Sequence, residues 1–256
     1  MLPAIYNDII LEFLKNKRLT AIFVMYFLVV SLLFVQITHA FFADTASSLS
    51  NTFTAAAEFP TPTPSNIATH IVISEIQTAS AAADNDFVEL YNPSTASASL
   101  QGMRLVKRTN GGTVDTNVSV FGPSDIIPAH GYYLWANKNN NFDVSIGANA
   151  SSTDTLSSDN SVALRDGPEN SGTIIDALRW GNPSGTPLVE GAAFTPNPSA
   201  NQSIERKALS TSDVTLMTSG ADVSKGNGYD TNNNSTDFIQ RPTSEPQNTS
   251  STPESP

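Results

Sequence analysis

The stretch DFVELYNPS, residues 86–94, followed by SLQGMRLVKR, residues 99–108, carries the clearest structural pattern in this sequence. In FVELY, Val88 and Leu90 alternate with the other three residues, so the two sets point to opposite faces of a half-buried β-strand. Pro93 then ends the strand, because proline has no N–H to donate to a sheet. The pattern predicts a strand, a turn and a second strand.

Further segments of the same kind follow along the chain. Each is short, rich in β-branched or aromatic residues, and bounded by Gly, Pro, Asn, Asp or Ser. After Thr38 no stretch keeps apolar residues at helical spacing for ten residues. Repeated short strands predict an all-β, antiparallel sandwich. The predicted strands are residues 70–76, 87–91, 103–108, 118–121, 132–136, 161–164, 173–180 and 203–207, with a last strand at Phe238.

The ordered series of segments resembles the lamin-tail domain, the immunoglobulin-like module of nuclear lamins that also occurs in many exported bacterial proteins. The resemblance covers roughly residues 70–248, and FVELYNP followed by L-x-G-M-x-L is its most specific part. It implies an immunoglobulin-like β-sandwich without a catalytic role of its own. Its segments are IVISEI, DFVELYNPS, SLQGMRLVKR, IIPAHGYYLWAN, LSSDNSVALRD, IIDALRWGN, NQSIERK and NNNSTDFIQRPTSEPQN.

An apolar segment without charges occupies residues 19–38 and directly follows Lys15, Lys17 and Arg18. Its length suits a transmembrane helix, and the basic cluster places residues 1–18 in the cytoplasm and the remainder outside the cell. A secretory signal peptide cleaved near Ala40 is the alternative, because small residues precede that position. The sequence therefore predicts either a single-pass membrane protein or a secreted protein, and both stay open.

The predicted exported part has a spacer, one domain and a tail. Residues 41–68 are rich in Ala, Ser, Thr and Pro, which is typical of an extended linker. Residues 69–248 form the lamin-tail-like domain. Residues 242–256 offer no apolar side chain to a core, so we expect disorder there, with residues 249–256 as a free tail. No further domain is recognisable, so a catalytic role by association has no support.

Composition excludes several classes of function. The 256 residues include no cysteine, which removes disulfides and thiolate chemistry. The formal net charge is -11, and no basic stripe follows Arg18, so we expect no nucleic-acid partner. The motifs of zinc proteases, P-loop enzymes, dinucleotide-binding enzymes and nucleophile-elbow hydrolases are missing from the sequence. We therefore predict that the protein is not an enzyme and has no cofactor.

Two groups of acidic residues remain as candidate sites. Glu75 and Glu89, in two predicted strands, could act as the acid and base of a glycosidase. We favour a structural role, in which they pair with Arg104, Lys107 or Arg108 on neighbouring strands. A polar segment also offers oxygen atoms at alternate positions, as calcium loops do, although Ser235 replaces the glycine of such a loop. The weak calcium candidates are Asp230, Asn232, Asn234 and Asp237.

The sequence thus predicts a binding or scaffolding module of the cell envelope or surface, with an unknown extracellular protein or glycan as its partner. Residues 137–159 and 181–202 are long and polar, which makes them the predicted contact surfaces. The alternative is an accessory module for an extracellular hydrolase acting on polysaccharide or nucleic acid. Exposed Tyr132, Tyr133 and Tyr229 would favour carbohydrate binding, whereas Trp135 and Trp180 are expected in the core with paired N–H groups.

Overall fold

A computed structural model describes residues 15–42, 66–78 and 84–256, with side chains of residues 33–42 excluded. The chain divides into two units, Met1–Thr61 and Pro62–Pro256. Most of the predicted cytoplasmic segment and of the predicted linker lies outside the described residues.

The first unit contains a helix over Lys17–Phe42. After Lys17 and Arg18 its sequence is uncharged and largely apolar, and most of the large apolar side chains described within it are exposed, for example Ile22, Met25 and Tyr26. Across the residues that the structure describes, no helix combines the length and the apolar character needed to cross a lipid bilayer. Membrane anchoring and export stay predictions of the sequence.

The second unit is built from two main antiparallel sheets and a small third one. The larger sheet has six strands in the order β12-β11-β1-β2-β7-β8, in which only the β7–β8 pair is parallel. The smaller sheet has four strands in the order β10-β9-β4-β5, and β3 pairs with β6. The strands are β1 Val72–Gln77, β2 Phe87–Tyr91, β3 Ala98–Ser99, β4 Met103–Arg108, β5 Thr116–Val120, β6 Ile126–Ile127, β7 Tyr132–Asn137, β8 Ala150–Ser152, β9 Ser161–Asp166, β10 Thr173–Arg179, β11 Ser203–Arg206 and β12 Phe238–Arg241.

Each predicted strand is present, with ends that shift by a few residues. The three strands that the sequence pattern missed, β3, β6 and β8, have two or three residues each, which is too short for an alternating pattern to register. Short helical segments lie at Asn139–Asn141, Phe142–Ser145, Val214–Ser219 and Asn234–Asp237. The antiparallel β-sandwich is therefore confirmed.

The core lies between the two main sheets and draws on both. Val88, Trp135 and Ile204 come from the six-stranded sheet, and Leu105 and Leu164 come from the four-stranded sheet. All are at most 1% exposed. Burial of these side chains supplies the main driving force for folding.

The two tryptophans differ in how their N–H groups are satisfied. Trp180 is buried and its indole N–H donates to the Ser157 carbonyl at 2.9 Å, as expected. Trp135 is also buried, but its indole N–H has no hydrogen-bond partner within the described part of the chain. The prediction of paired N–H groups is right for Trp180 and wrong for Trp135.

A β-bulge shapes the first strand. The register pairs Ile73 with Leu90 and Glu75 with Glu89, so Ser74 is an extra residue on β1. An extra residue reverses the alternation locally. As a result Ile73 and Ile76, three positions apart, both reach the core.

The C-terminal segment is ordered, contrary to the expected disorder. Residues 243–256 lie over the outer face of the six-stranded sheet. The backbone N–H of Gln247 donates to Glu89 at 2.5 Å, and the N–H of Glu254 donates to the His130 carbonyl at 2.8 Å. The Tyr91 hydroxyl donates to the Glu254 carbonyl at 2.5 Å. The expectation of disorder was wrong because it considered apolar side chains alone. Hydrogen bonds hold this segment in place.

Deleting residues 243–256 should lower the free energy of unfolding by at least about 3 kcal/mol, because it removes several hydrogen bonds that each contribute about 1 kcal/mol, among them those of Gln247 and Glu254. Urea unfolding of both chains measures the difference. Thr252→Ala, at an exposed position, serves as a control that should leave the midpoint unchanged. An unchanged midpoint for the truncated chain would show that the segment does not stabilise the domain.

Candidate functional site

Three glutamates form a row across the outer face of the six-stranded sheet. Glu75 of β1 lies opposite Glu89 of β2 on one side and opposite Glu205 of β11 on the other. These three residues are called the glutamate row below. Like charges directly opposite one another destabilise a sheet. The row therefore requires protons or cations to neutralise it.

Hydrogen-bond donors from several elements surround the row. Arg241 of β12 donates to Glu205 at 2.5 Å and to Glu245 at 2.9 Å. Glu89 accepts from the Ser74 hydroxyl at 2.6 Å, and Glu75 accepts from the backbone N–H of Glu245 at 3.3 Å. A single guanidinium thus faces several carboxylates, so protons must supply part of the balance.

Burial raises the pKa of all three members of the row. The pKa of Glu75 rises to about 8, because the side chain is buried and because the charge of Glu205 lies beside it. Burial, and then the charge of Glu75, raise the pKa of Glu89 well above its ordinary value. Burial raises the pKa of Glu205 to about 7, although Arg241 opposes the rise. The row therefore holds protons at neutral pH.

The row lines a cavity of about 180 Å³ that is bounded by the sheet, by residues 217–227 and by the C-terminal segment. Six of its eleven lining residues carry carboxylates and one, Lys225, is cationic, so the cavity suits protons or a small cation better than an anion. The lining residues are Glu75, Glu89, Glu205, Met217, Asp222, Val223, Lys225, Asn227, Glu245, Gln247 and Glu254.

The predicted partners of Glu75 and Glu89 are elsewhere. Arg104, Lys107 and Arg108 belong to β4, which lies in the four-stranded sheet. They pair there with Glu169, Asp154 and Asp115 respectively. The predicted pairing is wrong because it assumed that β4, which is close to β1 and β2 in sequence, lies in the same sheet as they do.

A second charged cluster lies inside the sandwich. The guanidinium of Arg206 on β11 binds both carboxylate oxygens of Asp176 on β10 at 2.8 Å, and both side chains are fully buried. Arg206 also donates to the carbonyls of Ile73 and Tyr229, and Asp176 accepts from the Ile73 N–H at 2.5 Å. Since β10 and β11 belong to different sheets, the ion pair joins the two layers.

Two further acids surround this pair. Carboxylate oxygens of Asp176, Glu190 and Asp230 lie within 4.8 Å of one another, which is close enough to share a metal ion. Burial and then the charge of Asp176 raise the pKa of Glu190 to about 9. Arg206 lies 3.4 Å from Asp230 and supplies positive charge in the cluster. A proton on Glu190 together with Arg206 offsets two of the three negative charges of these acids.

The four calcium candidates occupy different surroundings. Asp230 joins the Arg206 cluster and lies 3.6 Å from the His70 imidazole. The side-chain oxygen of Asn234 accepts from the backbone N–H of Arg179. Both carboxylate oxygens of Asp237 accept from Thr231. Asn232 donates its N–H to Asp230. Calcium binding stays a prediction, with Asp230 as the one candidate in an acidic cluster.

The remaining predicted residues are largely covered. Tyr132, Tyr133 and Tyr229 are at most 8% exposed, so they offer no aromatic platform. His130, expected as an ordinary exposed turn residue, is half-buried with a positive φ of 52°, and its carbonyl accepts from Glu254. Arg206 and Asp176 were not predicted from the sequence. Asp176 had a signal, as a charged residue within the otherwise apolar segment IIDAL, whereas the polar segment SIERK around Arg206 had none.

Replacing Arg206 by methionine should lower the free energy of unfolding by about 3–5 kcal/mol, because it leaves Asp176 buried without a counter-charge. Chemical denaturation measures the effect. The double variant Arg206→Met with Asp176→Leu removes both charges and should recover most of the loss. A loss below about 1 kcal/mol in the single variant would contradict a structural role for the pair.

Stability should fall as pH rises from about 4.5 to about 8, because Glu75 keeps its proton in the folded state and loses it in the unfolded chain. Each proton involved contributes a slope of up to about 1.4 kcal/mol per pH unit. Melting temperatures between pH 5 and pH 9 should decline less steeply for Glu75→Gln. Asp166→Asn, at an exposed site, should keep the original slope, and an equal slope in Glu75→Gln would refute the assignment.

Comparisons with known proteins found similarity to parts of this chain. Residues 64–182 match the family model of the Lamin Tail Domain, a range that contains β1 to β10. The solved structure of a DUF4876 family protein from Bacteroides thetaiotaomicron VPI-5482 is similar at a TM-score of 0.46 and 13% identity, covering 67% of this chain and 70% of that chain. None of the curated proteins matches this chain. Residues 64–182, somewhat less than half of this chain, are thus similar to the lamin tail domain family.

Proposed function

We propose that this protein is a non-catalytic binding or scaffolding module that acts at the cell envelope or cell surface. The proposal that the module is non-catalytic rests on one observation: its buried carboxylates bind groups of the same chain. Glu75 and Glu89, the pair closest to an acid–base arrangement, accept backbone N–H groups from the C-terminal segment. A glycosidase would instead leave such a pair open to a sugar. Glu75 and Glu89 are thus engaged in contacts within the chain.

The proposal that the protein is exported rests on its N-terminal sequence. The basic residues Lys15, Lys17 and Arg18 precede an uncharged apolar segment, residues 19–38, as they do in signal peptides and in anchors with an outward C-terminus. Either outcome delivers the sandwich to the outside of the cell. Fractionation of the host cell would detect the domain in membranes or in the medium, and a purely cytosolic signal would refute export.

The proposed contact surface combines the two long loops. Asp159, which closes the 137–159 loop, accepts from the Asn182 N–H at 2.7 Å and from the Asn197 amide at 3.1 Å, both in the 181–202 loop. These contacts hold the two loops together as one surface. Val144 in the first loop is 75% exposed, and an apolar side chain at such a site suits contact with a partner.

The carbohydrate-binding alternative loses its main support. Tyr132 and Tyr133 are buried, and the Tyr132 hydroxyl is bound to Glu254 at 2.7 Å. Aromatic side chains that stack on sugars must be accessible, as with other aromatic recognition platforms. Envelope binding through the loops therefore remains the better supported function.

Envelope material isolated from the host should retain the full-length protein through the loop surface. Pull-down of the purified chain in the presence and absence of calcium measures retention. Val144→Asp should reduce the retained fraction several-fold, because it replaces an exposed apolar side chain of the proposed contact surface by a charge. The control Val120→Asp, at a site 61% exposed on β5, should leave retention unchanged.

Retention that depends on calcium would implicate the Asp230 segment. Equal loss in both valine variants would place the contact elsewhere on the domain. No retention under any condition would contradict a binding role and leave a passive spacer as the account.

A further inference from the structure

A buried lysine lies inside the sandwich, at a distance from the glutamate row. Lys107 of β4 shares its strand face with Leu105, and its register partner Val162 belongs to the core. Residues two apart on a strand point to the same face. The side chain of Lys107 therefore extends into the interior, where it is 9% exposed.

The amine of Lys107 meets a carboxylate from the other side of the sandwich. Nζ lies 3.1 Å from Oδ1 of Asp154 and donates to the Thr155 carbonyl at 2.7 Å. Asp154 follows β8 of the six-stranded sheet. The two side chains thus connect the four-stranded sheet to the edge of the six-stranded sheet.

A third group, Asp86, completes the cluster. It precedes β2 and is fully buried, and one of its oxygens accepts from the Leu156 N–H at 2.8 Å. Its other oxygen, Oδ1, has no hydrogen-bond partner within the described part of the chain. Burial raises the pKa of Asp86 to about 7, with a small opposing effect from the charge of Lys107. Asp86 therefore lies within electrostatic reach of Lys107 and can carry a proton at neutral pH.

We propose that Lys107 and Asp154 form an intramolecular amide bond that joins the two sheets covalently, with Asp86 transferring protons during its formation. Such a reaction requires an amine held beside a carboxyl group with little access to water, and here the side chains of Lys107 and Asp154 are 9% and 28% exposed. The chain has no cysteine, so a disulfide cannot join the sheets in this way.

The reaction balances without any co-reactant. Proton transfer within the ion pair gives a neutral amine and a carboxylic acid. The nitrogen of Lys107 then attacks Cγ of Asp154, so that a C–N bond forms and a C–O bond breaks. The departing hydroxyl takes the proton of Asp86 and leaves as water, and Asp86 regains a proton from the nitrogen. The products are one amide and one water molecule.

Mass spectrometry of the denatured full-length chain tests the bond directly. The wild-type protein should be lighter than its sequence mass by one water molecule, and a protease digest should contain a branched peptide that joins Lys107 to Asp154. Lys107→Arg and Asp154→Ala should have their full sequence masses. Lys138→Arg, which changes an exposed lysine, should still lose one water molecule.

Asp154→Asn offers a sharper control. Attack on its side-chain amide would release ammonia in place of water, so this variant and the wild type should reach the same final mass. Asp86→Asn should fold, as judged by a cooperative thermal transition, but keep its full mass. Cross-linked Asp86→Asn would overturn the proton-transfer role of Asp86. A wild-type chain of full mass, without a branched peptide, would overturn the amide bond and leave an ordinary ion pair.

Discussion

The ion pair between Arg206 and Asp176 is the contact on which the sandwich depends. A guanidinium buried in a core is tolerable only when each of its donors finds an acceptor. Here Asp176 takes two of the contacts, and the carbonyls of Ile73 and Tyr229 take others. The pair binds β1, β10 and β11 at once and fixes how the two sheets are placed. Such directional contacts favour one packing arrangement over others with equal apolar burial.

The interior thus contains charges toward both ends of β1. Arg206 lies beside the residues near Ile73, whereas Asp86 lies beyond Gln77, in the direction of Lys107 and Asp154. Both clusters connect the four-stranded sheet with the six-stranded sheet. In a chain without cysteine, these polar connections take the place that disulfides occupy in many extracellular domains.

The outer face of the six-stranded sheet is acidic and depends on protonation. Three glutamates in adjacent strands would repel one another if all were ionised. Burial raises the pKa values of Glu75 and Glu89, whereas the backbone N–H donors of the C-terminal segment lower them. Hydrogen bonds to these carboxylates therefore help to hold the segment in place. The family match ends at residue 182, so this cover and the strands β11 and β12 lie beyond it.

The sequence by itself determined the longer strands and the fold class, because alternation and turn residues act over a few neighbouring positions. FVELY and YYLWA needed no partner to be recognised. Only the tertiary structure decided the sheet to which each strand belongs, and with it the partners of Glu75, Lys107 and Arg108. The order of the C-terminal segment and the pairing of Arg206 with Asp176 were also hidden, since both depend on contacts between distant residues. The fold places charged residues that are close in sequence, such as Glu89 and Arg104, in different sheets. It brings together charged residues that are further apart in sequence, such as Asp176 and Arg206.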